Sequence, residues 1–196
     1  TLKASGALGD ALGFQLDFNA PYLADLVPDG SGRLSFDAKL GGTLERPSIN
    51  LQGEAQAAVF LAQRIERLGL RVDLDLARDG PLLLDLEAAG LELGGQRFSS
   101  LRLTGDGQVS EHRLQADLQS DRLALNLAIQ GSARLLADQP RSYQGAINAM
   151  TIKDSDLGEW RLRQAAPFKV AEAMALGPLC LAGEAESGGC LSLARE

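Results

Sequence analysis

The sequence predicts an all-β protein built around one long, amphipathic, mostly antiparallel sheet. Two observations carry this. Apolar and polar residues alternate strictly in Leu68-Gly-Leu-Arg-Val-Asp-Leu-Asp-Leu76 and again in Leu123-Ala-Leu-Asn-Leu-Ala-Ile129, and more loosely along most of the chain. Successive side chains of a strand point to opposite faces, so each such segment has one apolar and one wet face. Almost nothing shows the 3.6-residue period of a helix that could cover the apolar side. A sheet of this kind must curl on itself, pair with a second sheet, or keep its apolar face for a ligand.

Taken in order, the candidate strands are 2–8, 11–18, 32–42, 48–60, 64–77, 82–94, 97–107, 112–119, 122–131, 142–152, 158–164, 167–173, 177–182 and 189–194. Gly and Pro punctuate many of them, as in Pro28-Asp-Gly-Ser-Gly32, Asp79-Gly-Pro81, Gly94-Gly95 and Gly188-Gly189. Two hairpins, 64–77 with 82–94 and 97–107 with 112–119, form the heart of the domain. Leu82, Leu84 and Leu86 are even-numbered while Leu91 and Leu93 are odd. For both sets to share a face, one residue must be absorbed near Ala88-Ala89-Gly90, as a β-bulge does. Gly105-Asp-Gly107 reads as a second bulge or bend. One segment departs from the pattern. Leu23, Leu26 and Val27 have helical spacing, Asn19 can cap, Pro21 suits a first turn and Pro28 ends it. A helix of about two turns within 20–28 would either plug one end of the apolar surface or cover a loop.

The chain has 196 residues, 45% of them hydrophobic, which suits one domain or one segment of a longer repetitive protein. Aromatics are 5%, and Leu replaces the Val, Ile and aromatics usual in β cores. The formal net charge is −7, from 26 acidic and 19 basic residues. These charges alternate along the strands without forming blocks, as on a solvated sheet face. No basic patch with interleaved aromatics points to nucleic acid. No apolar run approaches the roughly 18 residues of a membrane-spanning helix. The chain begins at Thr1 without a signal-like segment, which leads us to expect a piece of a longer protein whose targeting segment lies elsewhere.

Catalytic and metal chemistry find little support. His112 is the single histidine and is expected in an exposed turn beside Glu111. Asp73 and Asp75 share a strand face but alternate with Val72, Leu74 and Leu76 as any wet face does. The acidic turns Gly105-Asp-Gly107 and Gly183-Glu-Ala-Glu186 lack the spacing of a calcium loop. No Gly-rich loop leads into a helix to cradle phosphate. No metal or cofactor is expected. Trp160 reads as a core or groove-end anchor.

Cys180 and Cys190 flank a turn centred near Ala185. An antiparallel pairing about that centre sets Cys180 opposite Cys190 and Leu179 opposite Leu191. Directly opposed residues lie within disulfide range.

The stretch Gly32-Arg-Leu-Ser-Phe-Asp-Ala-Lys-Leu-Gly-Gly-Thr-Leu-Glu-Arg-Pro-Ser-Ile-Asn-Leu-Gln-Gly53, a strand, Gly-Thr-Leu-x-x-Pro and a second amphipathic strand, resembles the repeated segment of the TamB family. So do the short helical segment before it, Gly158-Glu-Trp160 leading into a Leu strand, and the Cys-Leu pairs near the end. The resemblance covers nearly all 196 residues. It implies an AsmA-like bridge protein, the inner-membrane subunit of a translocation and assembly module. The expected fold is a sheet bent lengthwise into a U-shaped groove (a β-taco), with residues 1–196 as one interior section of a longer, periplasm-spanning conduit. The expected ligands are phospholipid acyl chains moving between the inner and outer membranes of a Gram-negative bacterium. The expected partner is a TamA-like outer-membrane barrel, reached through the full-length chain, whose inner-membrane anchor lies outside this segment. The family brings no catalytic motif.

Expected groove-lining residues are Leu70, Val72, Leu74, Leu76, Leu101, Leu103, Leu123, Leu125, Leu127 and Ile129, with Asp73, Asp75, Arg102 and Asn126 facing the other way. Two alternatives to lipid handling come from the alternation alone. One is a structural module whose apolar face is closed by a second sheet. The other is a chaperone-like module whose edge strands accept an outer-membrane protein client by strand addition.

Overall fold

The structure, a computed structural model, describes residues 1–8, 11–43, 45–60, 63–76, 80–134, 142–183 and 188–194. Its strands are β1 (Leu2–Leu8), β2 (Ala11–Ala20), β3 (Ser31–Thr43), β4 (Pro47–Phe60), β5 (Gln63–Asp75), β6 (Pro81–Leu93), β7 (Gln96–Gln108), β8 (Glu111–Gln119), β9 (Leu123–Arg134), β10 (Ser142–Asp154), β11 (Gly158–Leu162), β12 (Ala166–Val170), β13 (Met174–Gly183) and β14 (Gly188–Ala194). All fourteen belong to one antiparallel sheet. From β1 to β10 each strand pairs with its neighbours in sequence, as short hairpin connections dictate. A sandwich would need a second sheet, and the described strands form only one.

The two hairpins expected at the centre are β5–β6 and β7–β8. Register explains how the sheet sorts its side chains. Directly opposed residues share a face, so the pairings define rows that cross the sheet. One row runs Leu2, Phe18, Phe36, Gly53, Leu70, Leu86, Leu103, Ala116, Leu127, Met150. The next runs Ala4, Leu16, Ala38, Leu51, Val72, Leu84, Gly105, Leu114, Ile129, Ile147. Rows on the other face are polar, such as Lys3, Asp17, Asp37, Gln52, Arg71, Asp85, Thr104, Gln115.

The bulge expected near Ala88-Ala89-Gly90 is a break in alternation shared by neighbouring strands. Ala88 and Leu91 are both buried, and Gly90 between them has φ +61°. The pairings skip Ala57 and Glu66 between β4 and β5, and Glu66 and Gly90 between β5 and β6. They also skip Gly90 and Ser99 between β6 and β7. Four strands therefore change parity at one level, and β6 carries no residue in excess of β5. The extra residue sits further along, in β4 against β3, where Ser31 and Arg33 oppose Val59 and Gln56. Gly105-Asp-Gly107, by contrast, lies in unbroken register and is not a bulge. A side chain at Gly105 would meet Leu114, Leu84 and Leu82, so its glycine leaves room for leucines.

The expected two-turn helix is instead a single 3-10 turn, Leu23–Asp25. Asn19 does not cap it, because Asn19 is held in the ladder, opposite Ser35 and bonded through its N–H to the Thr1 carbonyl at 2.8 Å. The ten residues between β2 and β3 hold only this one described turn. Leu23 nevertheless packs onto the apolar face. It is buried with Ala20, Ala55 and Ala58, against Phe18, Leu34, Ile65 and Leu68. Leu26 is exposed.

The parity break yields a pair of opposed expectations. Gly90→Ala forces a Cβ into a left-handed residue and onto the Glu66 side chain, and should cost about 1–2 kcal/mol or more. Ala57 already pays the left-handed penalty at φ +46°, so Ala57→Gly should be neutral or stabilising by up to about 1 kcal/mol. Urea unfolding midpoints read both; a harmless Gly90→Ala would sink the account.

Candidate functional site

The extended apolar face, rather than any cluster of reactive groups, is the candidate site. Leu70, Leu103 and Leu127 lie in one row, Val72 and Ile129 in the next, and Leu101 and Leu125 in a third that runs Ala20, Leu34, Ala55, Leu68, Ala88, Leu101, Leu118, Leu125, Ile152, Trp160. Leu74 opposes Ile49 and Leu82, Leu123 opposes Asp154 at the strand ends, and Leu76 follows the end of β5. Asp73, Asp75, Arg102 and Asn126 fall on the alternate positions of the same strands. Most of these leucines are half-buried, and few large side chains are fully covered. That degree of cover fits a sheet curling around its own apolar face without a second layer.

The polar face has its own relief. A hollow of about 620 Å³ centres on small residues, Gly69, Ala89 and Ser100, with Arg67, Glu87 and Arg102 at its rim. Arg102 pairs with Glu87 at 3.3 Å. A second, of about 650 Å³, lies over Gly131, Gly145 and Gly177. Leu101 and, in an adjoining hollow, Leu70 contribute to these walls. The hollows open mainly among residues of the charged side, so the apolar face is defined by its rows and not by a closed cavity.

His112 corrects the expectation of an exposed turn: it is 2% exposed. It enters the apolar face in the row Gly107, His112, Gly131, Gly145, Phe168. The Gln108 carbonyl, 3.1 Å from Nδ1, can only accept, so Nδ1 carries the proton. Nε2 then accepts from the Tyr143 hydroxyl at 3.0 Å. Tyr143 in turn stacks on Phe168, with centroids 5.6 Å apart. A side chain at Gly131 would strike the Tyr143 hydroxyl, and one at Gly145 would press on the Phe168 ring. The glycines thus let the two rings lie on the sheet. Burial pushes the Tyr143 hydroxyl up from its ordinary value. Nothing local in the sequence marks this group, because Tyr143 is 31 residues from His112; the in-strand glycines are the one signal.

At the β10–β11 turn, Asp154 accepts from the N–H groups of Asp156 at 2.8 Å and Leu157 at 3.0 Å, which hold its carboxyl below the usual range. Trp160 donates to the Leu157 carbonyl at 3.1 Å and faces Ile152. On the wet face, Asp17 and Asp37 are directly opposed. Hydrogen bonding to Asp17 pushes the Asp37 carboxyl up, with Lys39 opposing weakly.

Cys180 and Cys190 are joined in a disulfide, in the expected register, with Leu179 opposite Leu191. The closed loop is short, so the bond stabilises by about 2–3 kcal/mol. Among the described residues no group of His, Cys, Asp and Glu is placed to hold a metal ion. Glu184 and Glu186 lie outside the described residues. No described helix is long and apolar enough to cross a membrane.

Fold and face together define a class: a single amphipathic antiparallel sheet with a continuous aliphatic side. The family follows from comparison with known proteins. A family model described as TamB, N-terminal domain matches residues 1–187, and the chain belongs to that family. It is 28% identical over 167 residues to the translocation and assembly module subunit TamB of Haemophilus influenzae. The match covers 84% of this chain and 12% of the relative, so the chain spans a small part of that protein's length. No solved structure matches.

Two tests address the polar groups. Tyr143→Phe removes the donor to a buried histidine nitrogen and should cost about 1–3 kcal/mol in unfolding free energy; an unchanged urea midpoint would remove the pair from the list of stabilising contacts. The raised Asp37 value has a defined sign. Its contribution is fully present below the ordinary carboxyl value near 4 and is lost as pH rises through the raised value. Asp37→Asn should therefore unfold later than the parent at pH 7, with the advantage shrinking near pH 3. A variant no more stable than the parent at pH 7 contradicts this.

Proposed function

We propose that this chain is one section of a hydrophobic conduit that carries phospholipid acyl chains between the inner and outer membranes, in the periplasm of a Gram-negative bacterium. On this reading the longer protein is anchored in the inner membrane and meets a TamA-like outer-membrane barrel, which links it to outer-membrane protein assembly. The observation that carries the reading is the set of aliphatic rows crossing one face of a single sheet, with a charged opposite face. Membership of the TamB family and the name of the Haemophilus relative support the link to a translocation and assembly module.

The physics is simple. Each methylene moved from water to an apolar surface gains about 0.8 kcal/mol, so some fifteen of them gain on the order of ten kcal/mol before ordering costs. Leu70, Leu86, Leu103 and Leu127 along one row offer nearly equal surfaces, so a chain can slide without losing that gain. The headgroup stays in water, which favours weak headgroup selectivity. No residue is assigned a catalytic role.

A second reading rests on β1. Among the described strands it pairs with β2 alone, and a client strand would add along its other side.

Photo-crosslinking separates the two. A crosslinker at Leu74 or Leu125 should capture phospholipid in membranes, and one at Asp73 should not. Equal labelling at both faces would overturn the lipid reading, and capture of peptide at Lys3 alone would favour the client reading. Leu125→Asp should abolish lipid capture at Leu74 in protein whose circular dichroism shows an intact sheet.

A further inference from the structure

We propose that the polar face carries a binding site for a phosphoryl group at Arg33 and Arg67, beside the connection from β2 to β3. A hollow of about 470 Å³ opens there, with Pro21, Tyr22, Arg33, Gln56, Glu66 and Arg67 in its wall. Arg33, Gln56 and Arg67 form one row across β3, β4 and β5. The two arginines are therefore two strand spacings apart, about 10 Å, with Gln56 between them. Tyr22 reaches the hollow from the connection that the buried Leu23 anchors, and is 70% exposed.

Three observations carry the site. First, neither arginine makes a side-chain hydrogen bond or ion pair among the described residues, whereas Arg97 and Arg102 on the same face are held by Glu92 and Glu87. Second, the carboxylate in the wall leans away. The Glu66 side chain fills the space over Gly90 on β6, where a Cβ would strike it, and β6 lies on the side of β5 away from Arg33. Third, the floor is strained. Gly32 and Ala57 have φ +87° and +46°, and a side chain at Gly32 would strike the Ala57 carbonyl. A left-handed alanine is costly, and such residues cluster at ligand clamps. The strain belongs to the bulge in which Gly32 alone faces Ala57 and Ala58. Without that extra residue Arg33 would oppose Ala57 and leave the row of Gln56 and Arg67.

A guanidinium presents a planar fork of N–H donors, and a phosphoryl group presents its oxygens in a tetrahedron. Two forks from opposite sides, a Gln56 amide between them and the Tyr22 hydroxyl as a further donor match such a group. A planar carboxylate offers two oxygens, which one fork satisfies, so it has no use for the second arginine. The site holds the group without chemistry. A free phosphate ester and the headgroup of a phospholipid present the same anion to it.

Titration of the whole chain with inorganic phosphate, followed by NMR of the arginine side-chain N–H groups, tests the site. The signals of Arg33 and Arg67 should shift together. Arg33→Gln or Arg67→Gln, in protein whose circular dichroism is unchanged, should each weaken binding about ten-fold, since each removes charge-assisted hydrogen bonds. Glu66→Gln should tighten it. Arg71→Gln, on the same face of β5 and outside the hollow, should leave it unchanged. No shift at Arg33 and Arg67 overturns the proposal, and so does equal weakening by Arg71→Gln, the result expected of a face that merely attracts anions. Glycerol 3-phosphate and dihexanoyl phosphatidylglycerol below its micelle concentration then identify the source. Equal affinity assigns the site to free phosphate esters, and a lipid held at least about ten-fold tighter assigns it to a headgroup. The inorganic phosphate arm involves no apolar surface, so its failure is separate from failure of the conduit.

Discussion

Register is the constraint on which everything else here depends. A strand's side chains alternate strictly, so a slip of one residue would move its leucines to the wet face and its aspartates to the apolar one. The chain keeps ten successive strands in step, from Leu2 to Met150 in one row. Even where the alternation fails, at Ala57, Glu66, Gly90 and Ser99, neighbouring strands fail together. A fault confined to one strand would have set Leu91 against the polar face. Shared, it keeps Ile65, Leu91 and Phe98 aligned with each other and bends the sheet at one level.

Much of this was legible in the sequence because period-two alternation is local information. The fourteen strands, the two central hairpins and the parity change between Ala88 and Leu91 all follow from it. The disulfide was legible for a related reason: the centre of a turn determines which residues oppose each other, and the spacing of the two cysteines sets Cys180 against Cys190. What escaped depends on distance. His112 has a polar neighbourhood in sequence, and its burial follows only from Tyr143 arriving two strands away. That β11 and β12 share one edge of β10 is likewise a matter of pairing, not of composition. Gly105 misled for a different reason: a glycine in a strand can mark a bulge or a close approach, and here it makes space for Leu114 and Leu84.

The apolar face also explains the unusual composition. A packed β core rewards rigid, branched and aromatic side chains that interlock with an opposing layer. This sheet has no opposing layer among its described strands, so interlocking brings no gain, and Leu suffices. The aromatic rings gather where extra cohesion is useful: Phe18 stacks on Phe36 near the buried Leu23, and Tyr143 stacks on Phe168 at the joint to the last strands.

The pairing order carries one more consequence. From β1 to β10 each strand meets the one made just before it, so the sequence distance between partners is short throughout. Such topologies spend little loop entropy before contacts form, which favours rapid assembly. They also need no closing step: a chain delivered from its first residue onward can add hairpins one at a time, each new strand templated on the last. Length is then a free variable, since inserting or deleting a pair of strands leaves the parity of every other strand intact. A molecule built this way can change its length by whole hairpins, with no core to redesign.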